Sequence, residues 1–507
     1  MLAAGRGGAH HPAWVIWPFA DGSSLGSVTG GGAHLPESVR AAIAVPDLVP
    51  SPLGDLHFFD GVPALESVET IYDLLDLVRG IEVYLNTIPG ASLVAMRNGF
   101  RSVDVDGAGV LGYTAPRANS GSFFLTANTE TTYGSMFLDL RTDGPTVIEN
   151  PPNSLCVLDD FWFRYVADLG LAGPDRGAGG KYLFLPPGYD GEVPGGYFTY
   201  RTPTFTNWLV VRALGGVEDI VKTRVYPLAQ AADPPPMTYL NIADKTQNTV
   251  HANDFSFYQE INTLIQEEPA GALDPERAGQ CAAIGIVKGQ PFEPDERMRR
   301  ILSQAAPLGA AAARAITYKP RDPAAYAYPG SNWLNAFVGG SYEFLRNHAR
   351  LLDARAQFHY FATVITPAMA AAAVGTGSAY TYTAMDANGR WLDGGQAYQL
   401  TLPPGIPAKN FWSVDLYDTQ TRSLLETDNP HPSVMSLGGT VQANPDGSTT
   451  VYFGPDPSAV PDGKQSNWVQ TVPGKSWFTI LRLYGPLQPW FDKTWRPGEI
   501  EPAIVSG

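Results

Sequence analysis

The chain has 507 residues, of which 44% are hydrophobic and 17% are charged, with 53 glycines and 44 prolines. This composition is typical of a folded, β-rich protein with tight turns, and the length gives room for roughly two to four domains. The formal net charge of −16 repels phosphate backbones and anionic lipids, so we expect no nucleic-acid partner.

Cysteine content and hydropathy limit the chemistry further. Cys156 and Cys281 lack the spacing of metal ligands, so we expect two buried free thiols or one bridge, and neither a metal nor another cofactor. The chain has no apolar run of about 18 residues, so no membrane span is expected. Its first residues lack the apolar centre of a signal peptide, which predicts a cytoplasmic protein, or a periplasmic or secreted one whose leader was removed before this numbering began.

The N-terminal residues 1–64 are rich in Gly, Pro and His and are interpreted as an extended segment. The sequence Gly22-Ser-Ser-Leu-Gly26 matches the nucleophile-elbow pattern, but a glycine run follows where that pattern requires a helix. We therefore do not expect Ser24 to be catalytic. From Glu66 to Asn86, apolar residues recur at helical spacing, and Pro89-Gly90 predicts the end of this helix.

Short alternating runs separated by glycine and proline turns follow, and they predict an antiparallel β-sandwich. Together with the preceding helix they define a domain of residues 65–240. The sequence Gly107-Ala-Gly-Val-Leu-Gly112 matches the dinucleotide-binding pattern, but Pro116 and a Ser/Gly turn follow at once. Because no helix can begin there to face a pyrophosphate, we expect no nucleotide site.

The segment from Thr126 to Ser135 is the strongest candidate for a functional site. In a strand continuous with Met136, Asn128 and Glu130 point to the inward face, where an unpaired carboxylate is costly. Three arrangements satisfy them: a bulge that turns them outward, a cavity where they meet Arg201 or a ligand, or a buried polar network that fixes the strand.

Residues 241–370 are predicted to form a helical connecting region. Its helical stripes lie at Phe257–Ile265, Asp295–Leu308 and Arg350–Thr366. His359 stands in the aromatic sequence Phe358-His-Tyr-Phe and is interpreted as a packed core histidine. The alternative is a general base at the junction of two β domains.

Period-two strands return in residues 371–507. Residues 411–418 alternate between an apolar face, with Trp412, Val414 and Leu416, and a polar face, with Ser413, Asp415 and Tyr417. Arg482 and Tyr484 share a face in the same way. If the apolar face is core, Asp415 and Arg482 come opposite each other, either as a structural ion pair or as part of a substrate-binding site.

These segments together resemble two bacterial domains of unknown function, numbered 1254 and 1214. The first resemblance rests on Asn128-Thr-Glu-Thr-Thr-Tyr, Leu138-Asp-Leu, Gly180-Lys-Tyr-Leu-Phe-Leu-Pro-Pro-Gly and Arg201-Thr-Pro-Thr. The second rests on Ser378-Ala-Tyr-Thr-Tyr, Asp386-Ala-Asn-Gly, Leu392-Asp-Gly-Gly, Lys409-Asn-Phe-Trp-Ser-Val-Asp-Leu-Tyr-Asp, Asn444-Pro-Asp-Gly-Ser, Asn467-Trp and Arg482-Leu-Tyr-Gly-Pro.

The resemblance implies a mainly β fold, with an immunoglobulin-like β-sandwich, a helical connection and a jelly-roll β-sandwich, and a cleft between the two β domains. It implies no catalytic residue. An aspartate is common in the family where this chain has Glu130, so the carboxylate here reaches outward by one more methylene.

Three classes of function fit these features. The first is a hydrolase-type enzyme acting on a small polar or glycosidic substrate, with Glu130 as general acid/base and an arginine holding an anionic group. The second is a small-molecule or carbohydrate-binding protein with Trp412 or Trp468 as a stacking platform. The third is a structural module in which the jelly roll mediates oligomers.

Among these classes we favour the hydrolase, with a small-molecule substrate and a homodimer or higher homo-oligomer as its assembly. The candidate catalytic residues are Glu130, Tyr133 and His359, and the candidate substrate-binding residues are Asn128, Arg201, Trp412, Asp415, Arg482 and Tyr484.

Overall fold

The computed structural model describes residues 35–503, so Ser24 lies outside the described residues. The chain divides into two compact units, residues 1–71 and 72–507.

The described part of the first unit contains a short helix and a small antiparallel sheet with the strand order β1-β2-β3. Its elements are α1 (Glu37–Ile43), β1 (Leu48–Ser51), β2 (Gly54–Phe59) and β3 (Val62–Pro63). The predicted extended segment therefore includes regular structure in its second half.

The helix predicted near residue 66 is present as α2 (Leu65–Arg101), but its predicted end at Pro89 is wrong. The helix continues through Pro89 because its second half is buried in the second unit. Gly90 shows how close this packing is, since an added Cβ there would lie 2.7 Å from Leu264 and 2.9 Å from Trp162. This burial outweighs the cost of about 3 kcal/mol for an interior proline.

Two facing sheets form the N-terminal β region of the second unit. The strands are β4 (Val110–Tyr113), β5 (Gly134–Asp139), β6 (Thr146–Asn150), β7 (Ser154–Asp160), β8 (Tyr165–Gly170), β9 (Gly180–Leu185), β10 (Phe198–Arg201), β11 (Thr206–Ala213), β12 (Arg224–Pro227) and β13 (Thr238–Asn241), with short helices α3 (Leu140–Asp143) and α4 (Val217–Ile220) between them. The sheet orders are β10-β9-β6-β12 and β13-β4-β5-β11-β7-β8. A shared apolar core, which includes Leu138, Leu158 and Leu209 from one sheet and Ile148 and Phe184 from the other, packs the two sheets together.

The middle of the chain is helical, as the stripes predicted. Its elements are α5 (Ser256–Glu267), α6 (Pro275–Ala283), α7 (Glu296–Tyr318), a small hairpin of β14 (Leu345–Arg346) and β15 (Ala349–Arg350), α8 (Leu352–Phe361) and α9 (Pro367–Ala370). Helix α7 also continues through its proline, Pro307. Helix α8 is shorter at both ends than the predicted stripe.

The C-terminal region again contains two facing sheets, ordered β16-β22-β18-β19 and β21-β20-β17-β23. Its elements are β16 (Ser378–Thr383), β17 (Tyr398–Leu402), β18 (Ala408–Asp418), β19 (Ser433–Met435), β20 (Thr449–Gly454), β21 (Trp468–Gln470), β22 (Trp477–Pro486), α10 (Gln488–Phe491) and β23 (Ile500–Pro502). The core between these sheets includes Trp412, Val414 and Leu416, as the period-two pattern predicted.

A central core lies between the two sandwiches. It packs one outer face of the N-terminal sandwich and one outer face of the C-terminal sandwich against the helices. It includes Tyr84 of α2, Trp208 of β11, Phe257 of α5, Phe358 of α8 and Phe478 of β22. The fold is thus mostly β-sheet with helices. Cys156 and Cys281 are both free and buried, and burial raises the pKa of each thiol to about 12.

Candidate ligand-binding cavity

A cavity of about 260 Å³ lies between the two β regions of the second unit. Apolar and aromatic side chains form most of its wall, including Phe100, Phe124, Trp208, Phe337 and Phe361. The exposed residues of the wall are Ala172, Ala368 and Gly377, and they mark the opening to solvent. This enclosed, largely apolar space, with a few polar groups, has the character of a small-molecule site.

The N-terminal wall is the outer face of the six-stranded sheet. Trp208, Val210 and Arg212 occupy alternate positions of β11 and line the cavity, whereas Leu209 and Val211 point into the sandwich core. The register places Val210 opposite Val157 and Arg212 opposite Leu155 of β7. Because side chains alternate along a strand, one strand serves both the core and the cavity.

The C-terminal wall is the outer face of the β16-β22-β18-β19 sheet. Tyr380 and Tyr382 of β16 pair with Arg482 and Ile480 of β22, and all four line the cavity. This is the polar face that the alternation of residues 411–418 and 482–484 predicted.

Two cavity-lining residues hold a backbone conformation that is unusual for β-branched side chains. Thr126 has φ 41° and Val364 has φ 71°. In the described part of the chain they are the β-branched residues with a positive φ. Strained backbone of this kind persists where surrounding contacts fix it, and it concentrates at functional sites.

Glu130 lies in a turn and does not line the cavity. Strand β5 begins only at Gly134, so the parity expected for a continuous strand does not apply. The Asn128 Oδ1 accepts hydrogen bonds from the backbone N–H of Glu130 (2.8 Å) and Thr131 (3.0 Å). This local capping folds the segment into a turn that places Asn128 and Tyr133 in the cavity wall.

The Glu130 carboxylate accepts hydrogen bonds from three hydroxyl groups. The donors are Thr129 at 2.7 Å, Ser433 at 3.0 Å and Tyr484 at 2.9 Å. The Asn128 Nδ2 in turn donates to the Tyr484 hydroxyl at 2.6 Å. Glu130 is therefore part of a satisfied network that connects the two β regions.

Asp415 and Arg482 form the ion pair that the strand pattern predicted. The Arg482 Nε donates to the Asp415 Oδ2 at 2.9 Å. The Arg482 Nη2 donates to the Tyr417 hydroxyl at 2.6 Å and to the Thr126 carbonyl at 2.9 Å. Both charged side chains are almost fully buried, so each depends on these partners.

The pKa values of the neighbouring buried carboxyl groups Glu130 and Asp415 are shifted in opposite directions. Burial and the negative charge of Glu130 raise the pKa of Asp415 well above its ordinary value, in spite of Arg482. Burial also acts to raise the pKa of Glu130, but a hydrogen bond from Asp415 and the charge of Arg482 hold that pKa below its ordinary value. The Asp415 Oδ1 is buried without a donor, which is where a proton directed at Glu130 would sit.

Arg212 differs from Arg482 in having no partner for its charge. Among residues 35–503, no carboxylate forms an ion pair with its guanidinium, and its Nε is buried without a hydrogen bond. The guanidinium carbon lies 5.7 Å from the ring centroid of Tyr484, and the phenols of Tyr133 and Tyr380 are also close to it. A cation in this position, at the wall of an apolar cavity, is available to a ligand.

Asp168 and Gln247 are further polar groups of the cavity wall. Thr366 donates to both carboxylate oxygens of Asp168, at 2.8 and 3.0 Å. Burial nevertheless raises the pKa of Asp168 to about 6. The Gln247 Oε1 is buried without a hydrogen-bond partner among residues 35–503.

Three of the predicted site residues lie neither in the cavity wall nor in the network behind it. His359 is buried, with its Nδ1 2.9 Å from the Arg355 carbonyl oxygen, and burial lowers its pKa to about 3. Arg201 is exposed and donates to the Tyr189 carbonyl at 2.6 Å. Trp412 is 6% exposed and packs in the C-terminal core. Of the predicted residues, Asn128, Tyr133 and Arg482 line the cavity, and Glu130, Asp415 and Tyr484 lie in the network behind it.

The sequence-based reasoning missed Arg212 and Asp168. A signal for Arg212 was present, because a single charged residue ends the apolar run Trp208-Leu-Val-Val. The period-two rule places it on the face of Trp208 and Val210. Asp168 offers a similar signal in the strand Tyr165–Gly170.

Two properties of the described chain bear on metals and membranes. Within residues 35–503, no three His, Cys, Asp or Glu side chains gather as a group of potential metal ligands. Across the same residues, no helix has the length and apolar character needed to cross a membrane.

Two family models match the sequence, and each is described as a protein of unknown function. DUF1254 matches residues 110–233 and DUF1214 matches residues 377–488. This confirms the predicted pair of domains and their order. The cavity wall includes residues of both matched segments and of the helical region between them. The comparison with curated proteins found no match.

Two solved structures are similar to this chain. The VPA0106 protein from Vibrio parahaemolyticus has 17% sequence identity and a TM-score of 0.49, with 84% of this chain and 100% of that chain covered. An uncharacterised protein from Burkholderia cenocepacia has 14% identity and a TM-score of 0.39, with 87% of this chain and 97% of that chain covered.

Proposed function

We propose that this chain, which carries a DUF1254 domain followed by a DUF1214 domain, binds a small and largely apolar molecule in the cavity. The observation that carries this proposal is the cavity itself: about 260 Å³, open at Ala172, Ala368 and Gly377, and walled mainly by aromatic and aliphatic side chains. Its volume is close to the lower end, roughly 300 Å³, of small-molecule pockets. A water molecule takes about 30 Å³, so a ligand of about ten heavy atoms fits.

The apolar character of the wall supports binding through the hydrophobic effect, and the strained residues Thr126 and Val364 support a site held in a fixed shape. Trp412, one of the two residues expected to form a stacking platform, is a core residue. Trp208 lines the cavity, and we propose it as the stacking residue instead.

The test uses two uncharged probes of suitable size, octanol and phenylethanol. Ligand-observed NMR is expected to show both bound to the wild-type chain. Leu155→Trp, which fills the cavity, and Ala368→Trp, which blocks its opening, are both expected to abolish binding. The matched control Leu171→Trp changes an exposed leucine outside the cavity wall and is expected to bind like wild type.

Circular dichroism and melting temperature check that each variant folds. Absence of binding to the wild type, or unchanged binding to both blocked variants, would contradict the proposal. Ala368 is exposed, so its substitution keeps the test valid if Leu155→Trp fails to fold.

A second candidate function is a hydrolase-type enzyme for a small polar or glycosidic substrate, with Glu130 as general acid/base. The opposite pKa shifts of Glu130 and Asp415 favour it, because neighbouring carboxyl groups whose pKa values are moved apart serve acid/base chemistry. Tyr484 links this pair to Asn128 in the cavity wall. The position of Glu130 behind the wall, with three donors already bound, is the reason to rank it second.

A hydrolase substrate panel tests the second candidate. Glu130→Gln is expected to lose any activity that the wild type shows, whereas Glu293→Gln, a change of an exposed glutamate, is expected to retain it. Equal activity of Glu130→Gln and wild type would exclude Glu130 as the acid/base group.

We further propose that the N-terminal β region is an immunoglobulin-like sandwich and that the C-terminal one is a jelly roll. The pairing of a four-stranded with a six-stranded sheet supports an immunoglobulin-like sandwich, and the pairing of two four-stranded sheets supports a jelly roll. A homo-oligomeric assembly and the cellular location stay predictions.

A further inference from the structure

We propose that the cavity ligand is an organic monocarboxylate and that Arg212 binds its carboxylate group. This inference rests on the proposed function, since it assigns a chemical class to the molecule in the same cavity.

The first argument is the balance of charge around the two cavity arginines. Arg482 forms a buried ion pair with Asp415, and the Glu130 carboxylate, whose pKa the charge of Arg482 helps to lower, lies close to this pair. Arg212 lies close enough to Arg482 for their like charges to oppose each other. Asp168, the other acid of the cavity wall, is hydrogen-bonded to Thr366 and forms no ion pair with Arg212. Arg212 therefore has no paired counter-ion among residues 35–503, and an anionic group on the ligand would supply one.

The second argument is the hydrogen-bonding capacity of Arg212. A guanidinium has five N–H donors in a planar fork that matches a carboxylate. In the described chain none of these donors has a protein acceptor among the hydrogen bonds of residues 35–503, and the Nε is buried. Arg482, by contrast, uses its donors on Asp415, Tyr417 and Thr126.

The third argument is the surroundings of Arg212. It shares its face of β11 with Trp208 and Val210, which line the cavity. Tyr133 and Tyr380 also line the cavity and lie near its guanidinium. The site thus combines a cation and phenolic hydroxyls at one side with apolar walls on the others, which suits a carboxylate attached to an alkyl or aryl group.

The experiment compares acids with alcohols of matched size on the full chain. The probes are octanoate with octanol and phenylacetate with phenylethanol, and isothermal titration calorimetry gives each Kd. For the wild type we expect each acid to bind at least about tenfold more tightly than its alcohol, which is the value of a hydrogen-bonded charge in a buried site.

Arg212→Met is expected to remove this preference, so that each acid no longer binds more tightly than its alcohol. Arg212→Lys keeps the charge without the planar fork and is expected to retain part of the preference. The matched control is Arg201→Met, which removes the same charge from an exposed position that does not line the cavity. It is expected to match the wild type.

The outcomes separate this inference from the proposed function. If the alcohols bind and the acids bind no better, the carboxylate assignment is overturned and the cavity remains a binding site. If Arg212→Met keeps the wild-type preference for acids, Arg212 is not the anchor. If neither acids nor alcohols bind, the proposed function itself fails.

Discussion

The two walls of the cavity solve the problem of buried charge in opposite ways. In the C-terminal wall, Arg482 donates hydrogen bonds to Asp415, Tyr417 and Thr126, so its charge is paired within the chain. In the N-terminal wall, Arg212 has no such partner within residues 35–503. The difference indicates that the first arginine maintains the fold, whereas the second is kept for a group that the chain does not supply.

The largest effect on the free energy of unfolding is expected from Arg482→Met, which removes the ion pair of the C-terminal wall. Removing one partner of a buried ion pair leaves the other uncompensated, which costs about 3 to 5 kcal/mol. Urea unfolding at neutral pH measures this loss of the free energy of unfolding. A loss below about 1 kcal/mol would show that the ion pair does not stabilise the fold. The interpretation of Arg482 as a structural arginine would then be wrong.

The next effect is the pH dependence caused by Asp168, the acid of the N-terminal wall. Its pKa of about 6 in the folded chain lies above its ordinary value of 3.8, so the folded state binds the proton more tightly than the unfolded state does. Stability is therefore greatest below the unfolded pKa and falls as pH rises to about 6. The shift corresponds to a loss on the order of 3 kcal/mol.

Asp168→Asn isolates this contribution from that of other acids. The variant is expected to unfold with the same free energy as wild type near pH 4, and to be more stable above the folded pKa of about 6. Urea unfolding across that range measures the difference. If the difference in the free energy of unfolding does not change with pH, Asp168 stays charged over this range. The N-terminal wall then accommodates a buried carboxylate without a loss of stability.

A smaller effect is expected from Glu130→Gln in the network behind the C-terminal wall. The amide can accept fewer of the hydrogen bonds from Thr129, Ser433 and Tyr484, which costs about 1 to 3 kcal/mol at neutral pH. Because the folded pKa of Glu130 is lowered, its contribution is present above the unfolded pKa and is lost as pH falls through the folded pKa. The difference from wild type should therefore shrink in acid.

The control for this prediction is Glu293→Gln, which changes an exposed glutamate and should leave the unfolding curve unaltered. The double variant Glu130→Gln with Asp415→Asn tests whether the two carboxyl groups interact. If the effects of the two substitutions on the free energy of unfolding are additive, the carboxyl groups do not interact.

The sequence predicted the C-terminal wall better than the N-terminal one for a physical reason. Alternation along residues 411–418 is local, so it placed Trp412 in the core and Asp415 near Arg482 before any tertiary contact was known. The partners of Glu130 come from distant strands, and they could not be read from its own segment. The turn at Asn128 also replaced the expected strand, because its side chain caps the backbone.

Long-range packing set the remaining limits of prediction. Pro89 marks a helix end by its local chemistry, yet burial against Leu264 and Trp162 keeps α2 continuous. Arg212 was within reach of the period-two rule, but its lack of a partner is a property of the folded surroundings. A sequence shows the position of a charged residue along a strand, but it does not show whether that residue has a partner in the folded protein.

The smallest effect on stability is expected from Arg212→Met, and it is the sharpest test of the comparison. Without ligand, the loss of its contact with the Tyr484 ring costs about 0.5 to 1 kcal/mol, and removal of a half-buried cation with no ion-pair partner offsets that cost. The free energy of unfolding should therefore change by less than about 1 kcal/mol, against about 3 to 5 for Arg482→Met. Octanoate should raise the melting temperature of the wild type and of Arg201→Met by more than that of Arg212→Met, because a ligand that binds more weakly stabilises the folded state less. A loss as large as that of Arg482→Met, without ligand, would mean that the chain itself already satisfies Arg212.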